Sequence, residues 1–189
     1  EDVPDDAMAR AMLSGRPVVR DVVEALERAA ADLRVRGLLA RVGGAPLGVA
    51  QVQELREAVR AFRARKKFAV AWGETFGEFS GSGGSYYLAT AFDEIWLQPS
   101  GDIGLTGILM ESPFVRGTLD KLAVKPRLDH RYEYKNAMNI FTEKKYTPAH
   151  REAVEKVMHS WFSQMVRGIG EGRRLSEDQV RALIDRCLL

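Results

Sequence analysis

Phe68-Ala69-Val70-Ala71-Trp72 is an unbroken apolar run, bounded by Lys66-Lys67 on one side and Gly73 on the other. A run this short, closed by charges and a glycine, reads as a buried strand. Working outward, Leu38-Leu39-Ala40-Arg41-Val42 reads as a second strand, and Glu94-Ile95-Trp96-Leu97-Gln98, stopped by Pro99, as a third. Between the first two, Val49, Val52, Leu55, Val59 and Phe62 recur at helical spacing, which predicts a helix over 49–65. Between the second and third, residues 86–92 read as a short helix. Strand–helix–strand–helix–strand implies parallel strands, because parallel neighbours need crossover connections. The expected fold class is therefore α/β, a parallel sheet with crossover helices.

The flanks extend this pattern. Val18, Val19, Val22, Val23, Leu26, Ala30 and Leu33 form a helical stripe, with Pro17 at a first helical position and Gly37 ending the region. Lys66-Lys67 is expected to close the 49–65 helix, as cations suit a helix C-terminus. Residues 101–107 form a turn-rich link with a structural role, leading into a strand over 108–111. Ser112-Pro113 is a start signal for a helix carrying Phe114, Val115, Leu119 and Leu122. Residues 127–134 alternate like a strand. Thr147-Pro148 opens a long helix to about 169, whose stripe of Val154, Val157, Met158, Trp161, Phe162, Met165 and Ile169 reads as packing rather than a cofactor box. Ser176 to Gln179 is a capping box for a last helix.

Composition narrows the functional classes. The chain has 189 residues, 46% hydrophobic and 29% charged, enough for one globular domain with a substantial core. A net charge of +2 without a long basic run gives no footprint for nucleic acid. One cysteine, Cys187, excludes an internal disulfide and disfavours a cysteine metal site. His130, His150 and His159 lack ligand spacing, so no metal or cofactor is expected. No stretch is long and apolar enough to span a bilayer, no signal peptide opens the chain, and a soluble fragment is expected.

Candidate chemistry lies in the loops and past the 127–134 segment. Gly43-Gly44 follows a strand and precedes a helix, either as a tight turn or as exposed amides for an oxyanion. Gly81-Ser82-Gly83-Gly84-Ser85 also lies between strand and helix. It lacks the Gly-Lys-Ser/Thr of a P-loop and the register of Gly-x-Ser-x-Gly. In Arg131-Tyr132-Glu133-Tyr134-Lys135-Asn136-Ala137-Met138-Asn139, one lysine follows an aromatic at the expected strand end. Lys135 can act as a base only when neutral, which requires enclosure or neighbouring positive charge. Tyr132, Tyr134, Met138 and Ile140 are candidates for enclosing it. Glu133, on the same face of a strand, must point elsewhere or pair with Arg131. With the histidines isolated from any Ser/Asp pairing, lysine is the best candidate base, and that points to Ser-Lys chemistry.

Several motifs, taken together, resemble the signal peptide peptidase A (protease IV) family, of the ClpP/crotonase fold. They are residues 85–97, the 101–107 link, Leu119-Asp120-Lys121-Leu122-Ala123-Val124, Tyr134-Lys135-Asn136-Ala137 and Gly172-Arg173-Arg174-Leu175-Ser176. They run in order over almost the whole chain. The closer likeness is to the N-terminal half of the double-length form, so residues 1–189 are expected to be one ClpP/crotonase-like domain of a longer chain. The resemblance implies that Lys135 is the general base and that a C-terminal half carries the serine nucleophile. It also implies peptide substrates that are signal-peptide remnants, a bacterial envelope location with membrane association of the full protein, and self-association into a homo-oligomer.

The departures are local. Counting back from Tyr86-Tyr87, the family's serine position falls on Gly83, and Ser82, the alternative nucleophile, aligns only with one inserted residue. Neither Ser80 nor Ser85 falls in that register. Gly43, Gly44 and Gly83 are the backbone candidates for an oxyanion site. Around Lys135, the family's preceding glycine and following serine are replaced by Tyr132 and Asn136. Two other readings remain: a crotonase-like acyl-CoA enzyme and a non-catalytic assembly module. The fragment alone is expected to be inactive as a peptidase.

Overall fold

The computed structural model describes residues 18–43, 47–77 and 83–186. Pro17, Gly44, Ser80, Ser82 and Cys187 lie outside these residues. The chain divides into two compact units, one of residues up to Gly107 together with those from Met165 onward, the other Ile108–Gln164.

In the first unit, helix α1 (Val19–Ala31), strand β1 (Gly37–Arg41), helix α2 (Val49–Ala64), strand β2 (Phe68–Gly73), helix α3 (Gly84–Ala89) and strand β3 (Glu94–Leu97) follow in order. The three strands form one sheet in the order β1-β2-β3, and both pairs are parallel. Leu39 pairs with Val70, and Trp72 pairs with Trp96. The expected α/β class and all three expected strands are present.

Helices cover one face of this sheet. Ala69 and Ala71 point into a core with Leu26, Val52, Val59, Phe62, Leu88 and Phe92. Full burial of a side chain such as Phe62 contributes about 1.5–3 kcal/mol. On the opposite face Leu39 (74% exposed), Phe68, Trp72 and Trp96 (57% exposed) meet solvent, as alternation along a strand requires. Leu33, counted above in the first helical stripe, instead lies past the end of α1 in a turn and is 93% exposed.

Two polar clamps fix the helices to the sheet. Asp93, just before β3, accepts the Ala69 N–H at 2.8 Å and Arg63 Nε at 2.7 Å. The Lys66-Lys67 pair differs from expectation. Lys67 Nζ donates to the carbonyls of Ala29 (2.5 Å) and Asp32 (2.6 Å), so it caps α1 rather than its own helix. The rule of cations at helix C-termini holds, with the cation supplied by another element.

The 101–107 link is structural, as expected. It runs beside residues 74–77, with Phe76 N–H on Asp102 O at 2.9 Å and Gly104 N–H on Phe76 O at 2.7 Å. A Cβ at Gly101 would fall 1.8 Å from the Glu74 carbonyl oxygen, so only glycine fits.

The second unit holds helix α4 (Arg116–Lys121), helix α5 (Asn139–Thr142) and the first part of helix α6 (Pro148–Arg173), whose residues from Met165 belong to the first unit. Helix α7 (Glu177–Arg186) completes the first unit. The Thr147 cap is present: its Oγ1 accepts His150 N–H at 3.3 Å. The Ser176 capping box is also present, with Gln179 N–H on Ser176 Oγ (3.2 Å) and Ser176 N–H on Gln179 Oε1 (2.9 Å).

Three expectations fail in the second unit. Residues 108–111 form no strand, and α4 begins at Arg116 rather than at Ser112-Pro113. Ser112 instead accepts the Tyr146 hydroxyl at 2.6 Å. Residues 127–134 also form no strand. Their alternation has no ladder partner, and a strand is stable only when its N–H and C=O groups are paired.

Candidate active site

The Lys135 segment belongs to the second unit. Tyr132 adopts the left-handed conformation (φ 66°), which reverses the chain. The Lys135 N–H closes the turn on Tyr132 O at 3.3 Å, and Asn139 N–H bonds Asn136 O at 3.0 Å as α5 begins. Lys135 therefore sits in a turn between a reversed residue and a short helix, not at the end of a strand. It is exposed, and so are Tyr132 and Tyr134, so the expected aromatic enclosure is not formed within this unit.

The concern over Glu133 changes with the turn, because same-face alternation applies only to strands. Among the described residues, no carboxylate lies within ion-pair distance of the Lys135 amine. Arg131 packs on the Tyr132 ring, 5.3 Å from its centroid, rather than pairing with Glu133.

Behind this turn stands α6. The Tyr134 hydroxyl donates to Glu152 Oε2 at 2.8 Å, and Lys156 Nζ donates to Glu152 Oε1 at 2.6 Å. Hydrogen bonds from Lys156 and then Tyr134 hold the Glu152 carboxyl below its usual range. The same carboxylate raises the Tyr134 phenol. Spacing could not reveal Glu152, which is 18 positions from Tyr134 and on another element.

The start of α6 is fixed by an aromatic cluster. Tyr146 and His150 stack edge to face at 4.8 Å, and Phe114 meets Tyr146 at 5.1 Å. His150 is buried and its Nδ1 has no hydrogen-bond partner among the described residues. Asn139, also buried, reaches Thr147 Oγ1 at 3.5 Å, linking α5 to the cap of α6.

The glycine loops belong to the first unit. Gly43 has φ 123°, is exposed, and follows Val42, whose N–H bonds Trp72 O at 2.8 Å. Gly83 caps α3 in the left-handed conformation (φ 59°), and its carbonyl accepts the Tyr87 N–H at 2.9 Å. A Cβ at Gly83 would meet Leu105 Cδ1 at 3.5 Å, ordinary contact, so the backbone angle rather than crowding selects glycine there. The Ser85 hydroxyl is buried without a hydrogen-bond partner among the described residues.

Helix α3 is locked from behind by Arg56. This residue is only 3% exposed, and its guanidinium donates to Tyr87 O, to Thr90 Oγ1 at 2.7 Å and to Gly168 O at 3.1 Å. It lies 3.8 Å from the Tyr87 ring centroid. Burial pushes the guanidinium down to about 10, still charged at neutral pH.

The described elements make the class α/β with a parallel sheet, and the family match makes the fold ClpP-like. The model of Peptidase family S49 matches residues 61–188, and the chain belongs to that family. It is 28% identical over 172 residues to Protease 4 of Salmonella typhi, covering 87% of this chain and 27% of that protein. Protease 4 of Haemophilus influenzae is 26% identical over 163 residues, 85% of this chain and 25% of its own length. The chloroplastic serine protease SPPA of Arabidopsis thaliana is 23% identical over 159 residues, 84% of this chain and 23% of its own. The chain thus spans about a quarter of the length of these curated relatives.

Proposed function

We propose that this chain is the part of an S49 serine peptidase that supplies the general base, Lys135, of a Ser-Lys dyad. The reading is supported by the Tyr134-Lys135 turn, tied to α6 through Tyr134, and by the resemblance, which puts side-chain-less Gly83 at the nucleophile's place ahead of Tyr86-Tyr87. The serine then comes from a C-terminal half. Neutral Lys135 takes its proton, the serine oxygen attacks a peptide carbonyl, and water hydrolyses the acyl-enzyme. The substrates are apolar signal-peptide remnants, and the full protein works membrane-associated in the bacterial envelope as a homo-oligomer. Enclosure of the Lys135 amine is completed by that larger assembly.

Two measurements test this. In the full-length protein, Lys135→Ala lowers peptidase kcat on the order of 10²–10⁴-fold, the usual contribution of a positioned base. The 189-residue chain alone is not labelled by a serine-directed fluorophosphonate. Stoichiometric labelling that disappears in both Ser82→Ala and Lys135→Ala would overturn the division of the dyad and make the chain self-sufficient.

A further inference from the structure

Resting on the assignment of Lys135 as base, we propose that Glu152 is a positioning residue that holds the base through the Tyr134 hydroxyl. Among the described residues, this is the one side-chain hydrogen bond that ties residues 131–136 to another element. The rest of the turn is held locally, by Lys135 N–H on Tyr132 O and by Arg131 on the Tyr132 ring. A residue in the left-handed region at Tyr132 leaves the turn dependent on outside support.

The Glu152 carboxylate takes two donors, one on each oxygen. Lys156, one turn further along α6, occupies the other oxygen of the Glu152 carboxylate, so the remaining oxygen is aimed at Tyr134. The helix beneath is anchored two residues earlier by buried His150, packed on Tyr146 and Phe114. The chain of contacts runs from the aromatic cluster through Glu152 and the Tyr134 ring to the backbone that carries Lys135. An exposed hydrogen bond of this kind adds little to global stability. Its effect is geometric, and small displacement of a reacting group is expensive in rate.

The test uses the full-length protein and two readouts. Tyr134→Phe keeps the ring and removes the donor. It lowers kcat roughly tenfold to a hundredfold, with KM changed less than about twofold and the unfolding temperature unaltered. Glu152→Gln, which keeps an acceptor, retains more activity than Glu152→Ala. In parallel, tryptic cleavage after Arg131 and Lys135, followed by mass spectrometry, becomes faster in Tyr134→Phe. Unchanged kcat or unchanged cleavage overturns the proposal. Lys135→Ala measured alongside separates the two ideas: if that variant stays active the base assignment fails, whereas an inactive Lys135→Ala with an unimpaired Tyr134→Phe defeats the tether alone.

Discussion

Asp93 and Arg63 meet at 2.7 Å, Oδ1 to Nε, where α2 ends and β3 begins. The other Asp93 oxygen holds the Ala69 N–H of β2, and Arg63 also donates to Ala91 O at 2.7 Å. One carboxylate therefore joins a helix, a strand and the turn into the next strand.

Acid should loosen this joint. Partial burial pushes the Asp93 carboxyl up, but the bonds from Arg63 and from the Ala69 amide outweigh it and leave the group below its usual range. A group depressed in the folded state contributes stability above its unfolded value, about 3.9, and loses it as pH falls through the folded value. Stability of the wild type is thus expected to fall below about pH 4. Asp93→Asn, which keeps an acceptor but loses the charge, should cost about 1 kcal/mol at pH 7 and lessen that decline. Denaturant melts at pH 7 and pH 3 check both; an equal acid loss in the variant would contradict the assignment.

Arg56 carries a second prediction. Its guanidinium satisfies a carbonyl at Tyr87, the Thr90 hydroxyl and a carbonyl at Gly168. Lysine has a point charge and no planar fork, so Arg56→Lys leaves at least one acceptor unpaired. The expected loss is about 2–3 kcal/mol, read as a drop in the denaturant midpoint with an unchanged slope.

Two helical glycines give the third. Alanine normally stabilises a helix interior over glycine by about 1 kcal/mol. At Gly172 a Cβ would lie 2.0 Å from the Thr90 carbonyl oxygen, and at Gly168 it would lie 2.5 Å from the Tyr87 ring. Both Gly→Ala changes should therefore destabilise, by about 1–3 kcal/mol. Gly172→Ala should be the worse, because a backbone carbonyl cannot swing aside as a ring can. Thermal unfolding of the two variants ranks them, and a stabilised Gly172→Ala would contradict the close approach.

The fourth concerns Gly83. Gly83→Ser meets no crowding but must adopt φ 59°. The cost is about 1–2 kcal/mol, measurable by denaturant melts, and wild-type stability in Gly83→Ser would contradict it.

The sheet was legible because its strands are short apolar runs bounded by charges, glycine or proline, and because their alternation with helices leaves only parallel pairing. The segment leading to Lys135 misled for the complementary reason. Leu128, His130, Tyr132 and Tyr134 alternate with charged residues, but alternation describes one strand's faces and says nothing of whether a neighbour exists. The four-residue helix at Asn139–Thr142 is too short for a periodic signal. Lys135 is singled out by its neighbours in sequence, whereas Glu152 meets Tyr134 from another element and leaves no trace in local spacing. The Lys67 contact with α1 was missed likewise, since a cap supplied from 35 or more positions away has no local signature.

The packing around Arg56 also bears on how this chain can drift over generations. The guanidinium needs the bare backbone of Gly168, the carbonyl of Tyr87 and the hydroxyl of Thr90 at once, and Gly172 must stay small for Thr90 to remain where it is. Truncating Arg56 or enlarging Gly168 or Gly172 leaves a buried unpaired group or an overlap. Lineages should therefore keep the set intact or exchange it wholesale, so that positions 56, 90, 168 and 172 are inherited as one character rather than four.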